Sequence, residues 1–186
     1  MSTDSQKVIY WLDRKRNIIE VGGAWDRFAL ENDASKAFSR QVKGSSVWKY
    51  IRDDSTRMWL DTLLQLAEIT GDAVERPYRC DSPDTRRYMQ MKIIPEKPGV
   101  LRVEHRVVST EKRNRTVYFK TSDQMSRNMV SRCSICGRVK SKDQWQEPDQ
   151  GTQEKPLNLT VVYTVCPTCS SSLSSRKSLE HLHHKS

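Results

Sequence analysis

The sequence predicts an α+β protein: two strands, a run of helices and three more strands, followed by a small β module gathered around paired cysteines. Three observations predict it. Residues 7–13 and 18–21 are strand-forming by composition, and apolar and polar residues alternate in three segments, 73–80, 88–94 and 100–108, which is the period of half-buried strands. Between these regions Trp59, Leu60, Leu63, Leu64 and Ala67 recur at three- and four-residue steps, as a one-sided helix requires. Two Cys-x-x-Cys pairs then follow, Cys133 with Cys136 and Cys166 with Cys169.

Lys7 to Asp13 is strand-forming by composition, Arg14-Lys-Arg-Asn17 is a polar turn, and Ile18 to Val21 is a second strand. Together they predict a hairpin that Gly22-Gly23 stops. A helix over Ala24–Glu31 puts Trp25, Phe28 and Ala29 on a shared face. Residues 44–51 form a short element that is apolar at Val47, Trp48 and Ile51. Asp53, Asp54 and Ser55 offer capping side chains for a helix from Thr56 to Thr70, and Gly71 is its stop. In Ala73–Cys80 the even positions Val74, Tyr78 and Cys80 look inward, with Arg76 an exception. In Tyr88–Ile94 the inward positions are Met89, Met91 and Ile93, and in Val100–Val108 they are Leu101, Val103, His105 and Val107. Pro95-Glu-Lys-Pro98-Gly99 is the turn between the last two strands.

This order resembles the PAS fold over residues 1–110. The resemblance is carried by Tyr10-Trp11-Leu12-Asp13 and its hairpin, by Gly44-x-x-x-Trp48-x-x-Ile51, and by Arg79-Cys80-Asp81-Ser82-Pro83 ahead of the fourth strand. It implies a five-stranded antiparallel sheet with helices inserted after strand two. It also implies a domain that senses a small ligand or light, or mediates protein contacts, and that pairs with itself as a homodimer. Such domains hold an unidentified small ligand between sheet and helices, so inward-facing Cys80 and His105 are candidate pocket residues. The competing expectation is that both belong to the core, where a free cysteine behaves as a small hydrophobe. Met89 and Met91 are expected to fill the core and not to line a haem pocket. Trp11, Trp25, Trp48 and Trp59 are expected there too, and not in an aromatic cage.

Residues 111–132 are charged and poorly periodic and read as a linker. Residues 133–170 read as a four-cysteine module and 171–186 as a polar, disordered tail. Cys133, Cys136, Cys166 and Cys169 are the expected ligands of a structural Zn2+, which takes four thiolates at about 2.3 Å. The two-residue gap lets both sulfurs of a pair turn to one point, and Gly137 and Pro167 suit the tight turns. Arg138-Val-Lys140 follows the first pair and Leu157–Val165 runs as a strand into the second, a pattern similar to a zinc ribbon. Trp145 is expected to cover the site, and Gln146–Pro156 to be a loop. A thiol switch and an iron site are the alternatives. A catalytic zinc is not expected, because four cysteines close the coordination shell and leave no position for water.

A net charge of +9 favours anionic partners, but no run of basic residues marks a nucleic-acid arm. Arg76, Arg79, Arg86 and Arg87 surround Asp81 and Asp84, either as an anion-binding patch or as local ion pairs. No catalytic constellation appears, and His105, His181, His183 and His184 are the only histidines. No apolar run reaches the about 18 residues of a membrane span, and the N-terminus is unlike a signal peptide. Together these readings predict a non-catalytic, cytoplasmic signalling protein of bacterial type that contacts a protein partner and no membrane. The alternatives are a nucleic-acid-binding zinc-ribbon protein and a thiol-based redox sensor.

Overall fold

A computed structural model describes residues 7–31, 37–51, 53–121, 129–150 and 155–172. The expected tail lies outside the described residues from residue 173 on. The chain forms two compact units, one of residues 1–76 and 90–107, the other of 77–89 and 108–186.

Strand β1 (Val8–Leu12) pairs antiparallel with β2 (Ile18–Gly23), with a bulge between Trp11 and Leu12. The turn between them closes because Asp13 Oδ1 accepts the amides of Lys15 and Asn17, each at 2.8 Å. Three short helical segments follow: α1 (Trp25–Glu31), α2 (Ser39–Val42) and a single 3-10 turn at Val47–Tyr50. The long helix α3 (Asp54–Thr70) starts two residues before the expected Thr56. Asp53 is the reason: its carboxylate accepts both the amide and the hydroxyl of Thr56, at 2.7 and 2.8 Å, which fixes it as the N-cap. Gly71 ends the helix in the left-handed conformation, φ 71°. The buried residues of α3 are Trp59, Leu60, Leu63, Leu64 and Ala67, the five its periodicity selects.

β3 (Val74–Arg79), β4 (Thr85–Lys97) and β5 (Val100–Lys112) complete a five-stranded sheet of order β2-β1-β5-β4-β3. β4 and β5 are joined by Pro98-Gly99 alone, a connection only antiparallel strands allow. Met89, Met91, Ile93, Leu101 and Val103 are buried, as the alternation requires. Val107, expected inward, is 48% exposed. β1 begins at Val8, which pairs with His105, so the alternation of β5 stops where its neighbour stops. Arg76, the expected exception, is itself buried. An antiparallel five-stranded sheet with its helices between β2 and β3 is the PAS-like fold that the sequence resemblance implied.

The second unit holds another five-stranded sheet, of order β6-β10-β7-β8-β9. Its strands are β6 (Val117–Thr121), β7 (Val130–Cys133), β8 (Val139–Ser141), β9 (Gln144–Gln146) and β10 (Leu157–Thr164). β10 runs parallel to both β6 and β7, whereas β7, β8 and β9 form an antiparallel meander. Helix α4 (Pro167–Ser171) follows. The segment 111–132, expected as a linker, thus supplies the end of β5, all of β6 and most of β7. Its apolar patch from Val117 to Phe119 pairs with Leu157–Leu159, a partner too distant in sequence for local periodicity to reveal. Trp145 lies on β9 opposite Lys140, and 147–150 lead away as an irregular segment.

Candidate metal centre

Parallel pairing brings the two cysteine pairs together. Val161 lies opposite Val130 and Thr164 opposite Cys133, so β7 and β10 reach the same end of their sheet and deliver one Cys-x-x-Cys each. The first pair sits in a tight knuckle. Gly137 donates its amide to the Cys133 carbonyl at 3.0 Å, and Cys133 donates to the Arg138 carbonyl at 2.8 Å. Gly137 has φ 72°, which favours glycine at that turn. Ser134 donates to the Thr164 carbonyl at 2.8 Å and ties the knuckle to the strand entering the second pair. There Cys166 is the N-cap of α4, with Pro167 in the first turn.

The four sulfurs all lie within 4.8 Å of one another. Cys136 Sγ is 3.8 Å from Cys166 Sγ, and the Cys166 amide donates to Cys133 Sγ at 3.4 Å. Four thiolates placed tetrahedrally about an ion at about 2.3 Å have edges of about 3.8 Å, whereas a disulfide needs sulfurs about 2.05 Å apart. The spacing fits metal ligation, and all four cysteines are free thiols in the structure. Cys133, Cys136 and Cys166 are buried and Cys169 is half-buried. Cys133 is held far below the usual thiol range by hydrogen bonds from Cys136, Cys166 and Cys169 to its thiolate. Cys169 is pushed far up by those same neighbours, Cys133 first. Four thiols this close together could hold a metal ion, whose charge would offset that of the thiolates.

The knuckle lies against a buried cluster of opposite charges. Arg79 donates to Asp81 at 3.1 and 2.6 Å and to Glu147 at 2.8 and 2.9 Å. Arg113 donates to Asp81 at 2.7 Å and to Asp149 at 3.3 Å. Arg86 reaches Asp149 at 2.6 Å and Glu111 at 2.7 Å. The side chains of Asp81 and Asp149 are 1% and 0% exposed. Arg132 adds a fourth guanidinium, 3.6 Å from Asp81, over the Phe119 ring and bonded to the Tyr163 hydroxyl at 3.1 Å. Desolvation would raise the Asp149 carboxyl, but hydrogen bonds from Arg86 hold it below its usual range.

Sequence reasoning brought Arg79, Arg86 and Asp81 into view, and Arg79–Asp81 is the local ion pair it offered as one reading. Asp84 instead accepts from Ser82 and Thr85. Glu147, Asp149 and Arg113 were missed. They come from segments without periodicity, and no local signal marks a carboxylate that becomes buried by a distant arginine.

The candidate pocket residues fall in different units, His105 in the first and Cys80 in the second. His105 stacks on Tyr10 with ring centroids 5.6 Å apart, and Tyr10 meets Trp25 edge-on at 5.8 Å. Burial lowers the His105 pKa to about 4, so the ring is neutral at pH 7. Cys80 is half-buried, and burial raises its thiol pKa.

No protein-family profile matches the sequence. No curated protein matches it either. Among solved structures, a domain of an HTR-like protein from Haloarcula marismortui is similar at 13% identity and a TM-score of 0.42, covering 55% of this chain and 98% of that domain. The PAS domain of the RpfR quorum-sensing receptor from Cronobacter turicensis, in complex with BDSF, is similar at 14% identity and a TM-score of 0.43. The match covers 59% of this chain and all of that domain, and the same domain with C12:0 gives the same values.

Proposed function

We propose that this protein is a non-catalytic regulatory protein in which a PAS-like sensing or interaction domain is joined to a structural zinc module that contacts a protein partner. The observation that carries the metal part is the 3.8 Å sulfur–sulfur edge within a four-thiol group whose members lie within 4.8 Å. A closed four-cysteine shell leaves no position for a reacting water, which favours a structural over a catalytic ion. Zn2+ would neutralise the thiolates and lock the two knuckles together, and the residues that hold it are Cys133, Cys136, Cys166 and Cys169.

The burial of Arg79, Arg86 and Arg113 among carboxylates favours a protein partner over nucleic acid, because these arginines are already committed within the fold. Tyr118 and Val162, 50% and 47% exposed on β6 and β10, offer apolar contact area on the second sheet. No helix among the described residues is long and apolar enough to cross a membrane.

The test is metal content on protein purified without chelator or added metal. One zinc per chain, lost in Cys136→Ser and Cys166→Ser, is expected. Metal-free protein, or iron with visible colour, overturns the zinc assignment. DNA or RNA binding that weakens steeply with salt would replace the protein partner with nucleic acid.

A further inference from the structure

We propose that Asp81 positions the first cysteine knuckle, so that metal binding at the four cysteines and order in the β3–β4 turn form one coupled equilibrium. This rests on the four cysteines being a metal site. It adds a positioning residue and a regulatory consequence to that site.

Two contacts carry it, both within the second unit. The main-chain amide of Arg79, at the end of β3, donates to the carbonyl of Ile135 at 2.8 Å, and Ile135 lies between Cys133 and Cys136 inside the knuckle. Gly137, the residue after Cys136, packs directly on the ion cluster. A Cβ built there would stand 2.9 Å from Asp81 Oδ2 and 3.3 Å from the Arg79 guanidinium. The knuckle backbone therefore takes its place against Arg79 and Asp81, with no side chain between.

Asp81 is the hub of that support. Its carboxylate accepts from Arg79, from Arg113 at 2.7 Å and from the Arg87 amide at 3.2 Å, with Arg132 at 3.6 Å. Arg79 is fixed from the other side by Glu147, and Arg113 by Asp149. Without the negative charge of Asp81, the buried guanidinium groups of Arg79 and Arg113 and the half-buried one of Arg132 lose their shared acceptor and repel one another. Arg79 then moves, and both its amide and its side chain leave the knuckle. Groups that hold metal ligands in place without touching the metal set its affinity, commonly by about 10–100-fold. Coupling is reciprocal, so the metal must in turn hold the β3–β4 turn.

The experiment uses the full chain, with Zn2+ titrated against a chromophoric chelator and amide hydrogen exchange followed with and without zinc. Asp81→Asn is expected to weaken zinc by about 10–100-fold. Glu68→Gln, at the ion pair with Arg16 in the first unit, is expected to leave affinity unchanged. Asp81→Glu keeps the charge and is expected to bind zinc more tightly than Asp81→Asn. Because Asn keeps the volume of Asp and removes only its charge, unchanged affinity in Asp81→Asn would make Asp81 a filler of space and overturn the proposal.

The wild-type protein gives an arm that needs no variant. Stripping zinc is expected to remove protection from the Arg79 amide and the adjoining turn while Leu63 and Leu64 in α3 stay protected. If wild type binds one zinc but Asp81→Asn binds within twofold of it, or if Arg79 protection ignores the metal, the coupling is wrong and the metal site stands. If wild type binds no zinc, both fall together.

Discussion

The two units solve the problem of an interior by opposite means. In the first, Leu12, Ile18, Leu63, Leu64, Ile93 and Val103 are fully buried, and the sheet and α3 are held by apolar contact. In the second, the side chains of Asp81, Asp149, Arg79 and Arg113 are at most 2% exposed beside a cluster of four thiols, and apolar burial is limited to residues such as Val117, Ile135, Val139 and Val161. Where apolar burial is this limited, a structural metal is a usual remedy. The difference teaches where each unit is vulnerable. An apolar interior loses stability by degrees as methylene groups are removed, whereas a charged interior fails when one member of a paired set is deleted.

Metal removal is the largest test of this contrast. Structural zinc in small modules contributes about 10–16 kcal/mol of apparent folding free energy. Chelation, or Cys166→Ser, is therefore expected to unfold the second unit while the first keeps its protected amides, as hydrogen exchange would report. Loss of protection in both units would break the comparison.

Asp149→Ala is next. It leaves Arg113 and Arg86 without their shared carboxylate and is expected to destabilise the second unit by about 3–5 kcal/mol. Leu63→Ala, fully buried in α3, is expected to cost the first unit about 2–5 kcal/mol. Urea unfolding followed separately in each unit checks the pair, and the comparison fails if either variant acts on the wrong unit.

The third test is pH. His105 binds a proton near pH 6.5 when unfolded but only at about 4 in the fold, because burial disfavours its charged form. Between those values the unfolded state carries the extra proton, so stability falls as pH falls from 6.5 to 4, by up to about 3 kcal/mol. His105→Gln is expected to flatten this window in a plot of urea midpoint against pH. The smallest effect is Asp53→Ala, which removes the N-cap of α3 and is expected to cost about 1 kcal/mol in the first unit.

These tests follow the line between what was legible in the sequence and what was not. Hairpins, the buried face of α3 and the alternation in β3–β5 are periodic over neighbouring residues, so the residues themselves display them. The four-cysteine group was legible for a similar reason, since each Cys-x-x-Cys pair is a local spacing that needs no knowledge of the fold. β6 was not, because Val117–Phe119 is too short to show a period and becomes a strand only against β10. Val107 failed because the alternation of β5 outlasts its partner strand.

By itself, then, the sequence determined the strand and helix order of the PAS-like fold and the four cysteines. Period and spacing are properties of the chain read in order. Only the tertiary structure decided that β7 and β10 run parallel, that the side chains of Asp81 and Asp149 are buried, and that the knuckle rests on Arg79 and Asp81. The physical reason is that a charged residue looks the same in sequence whether water or a distant arginine will solvate it. Its burial is set by which segments the fold brings together.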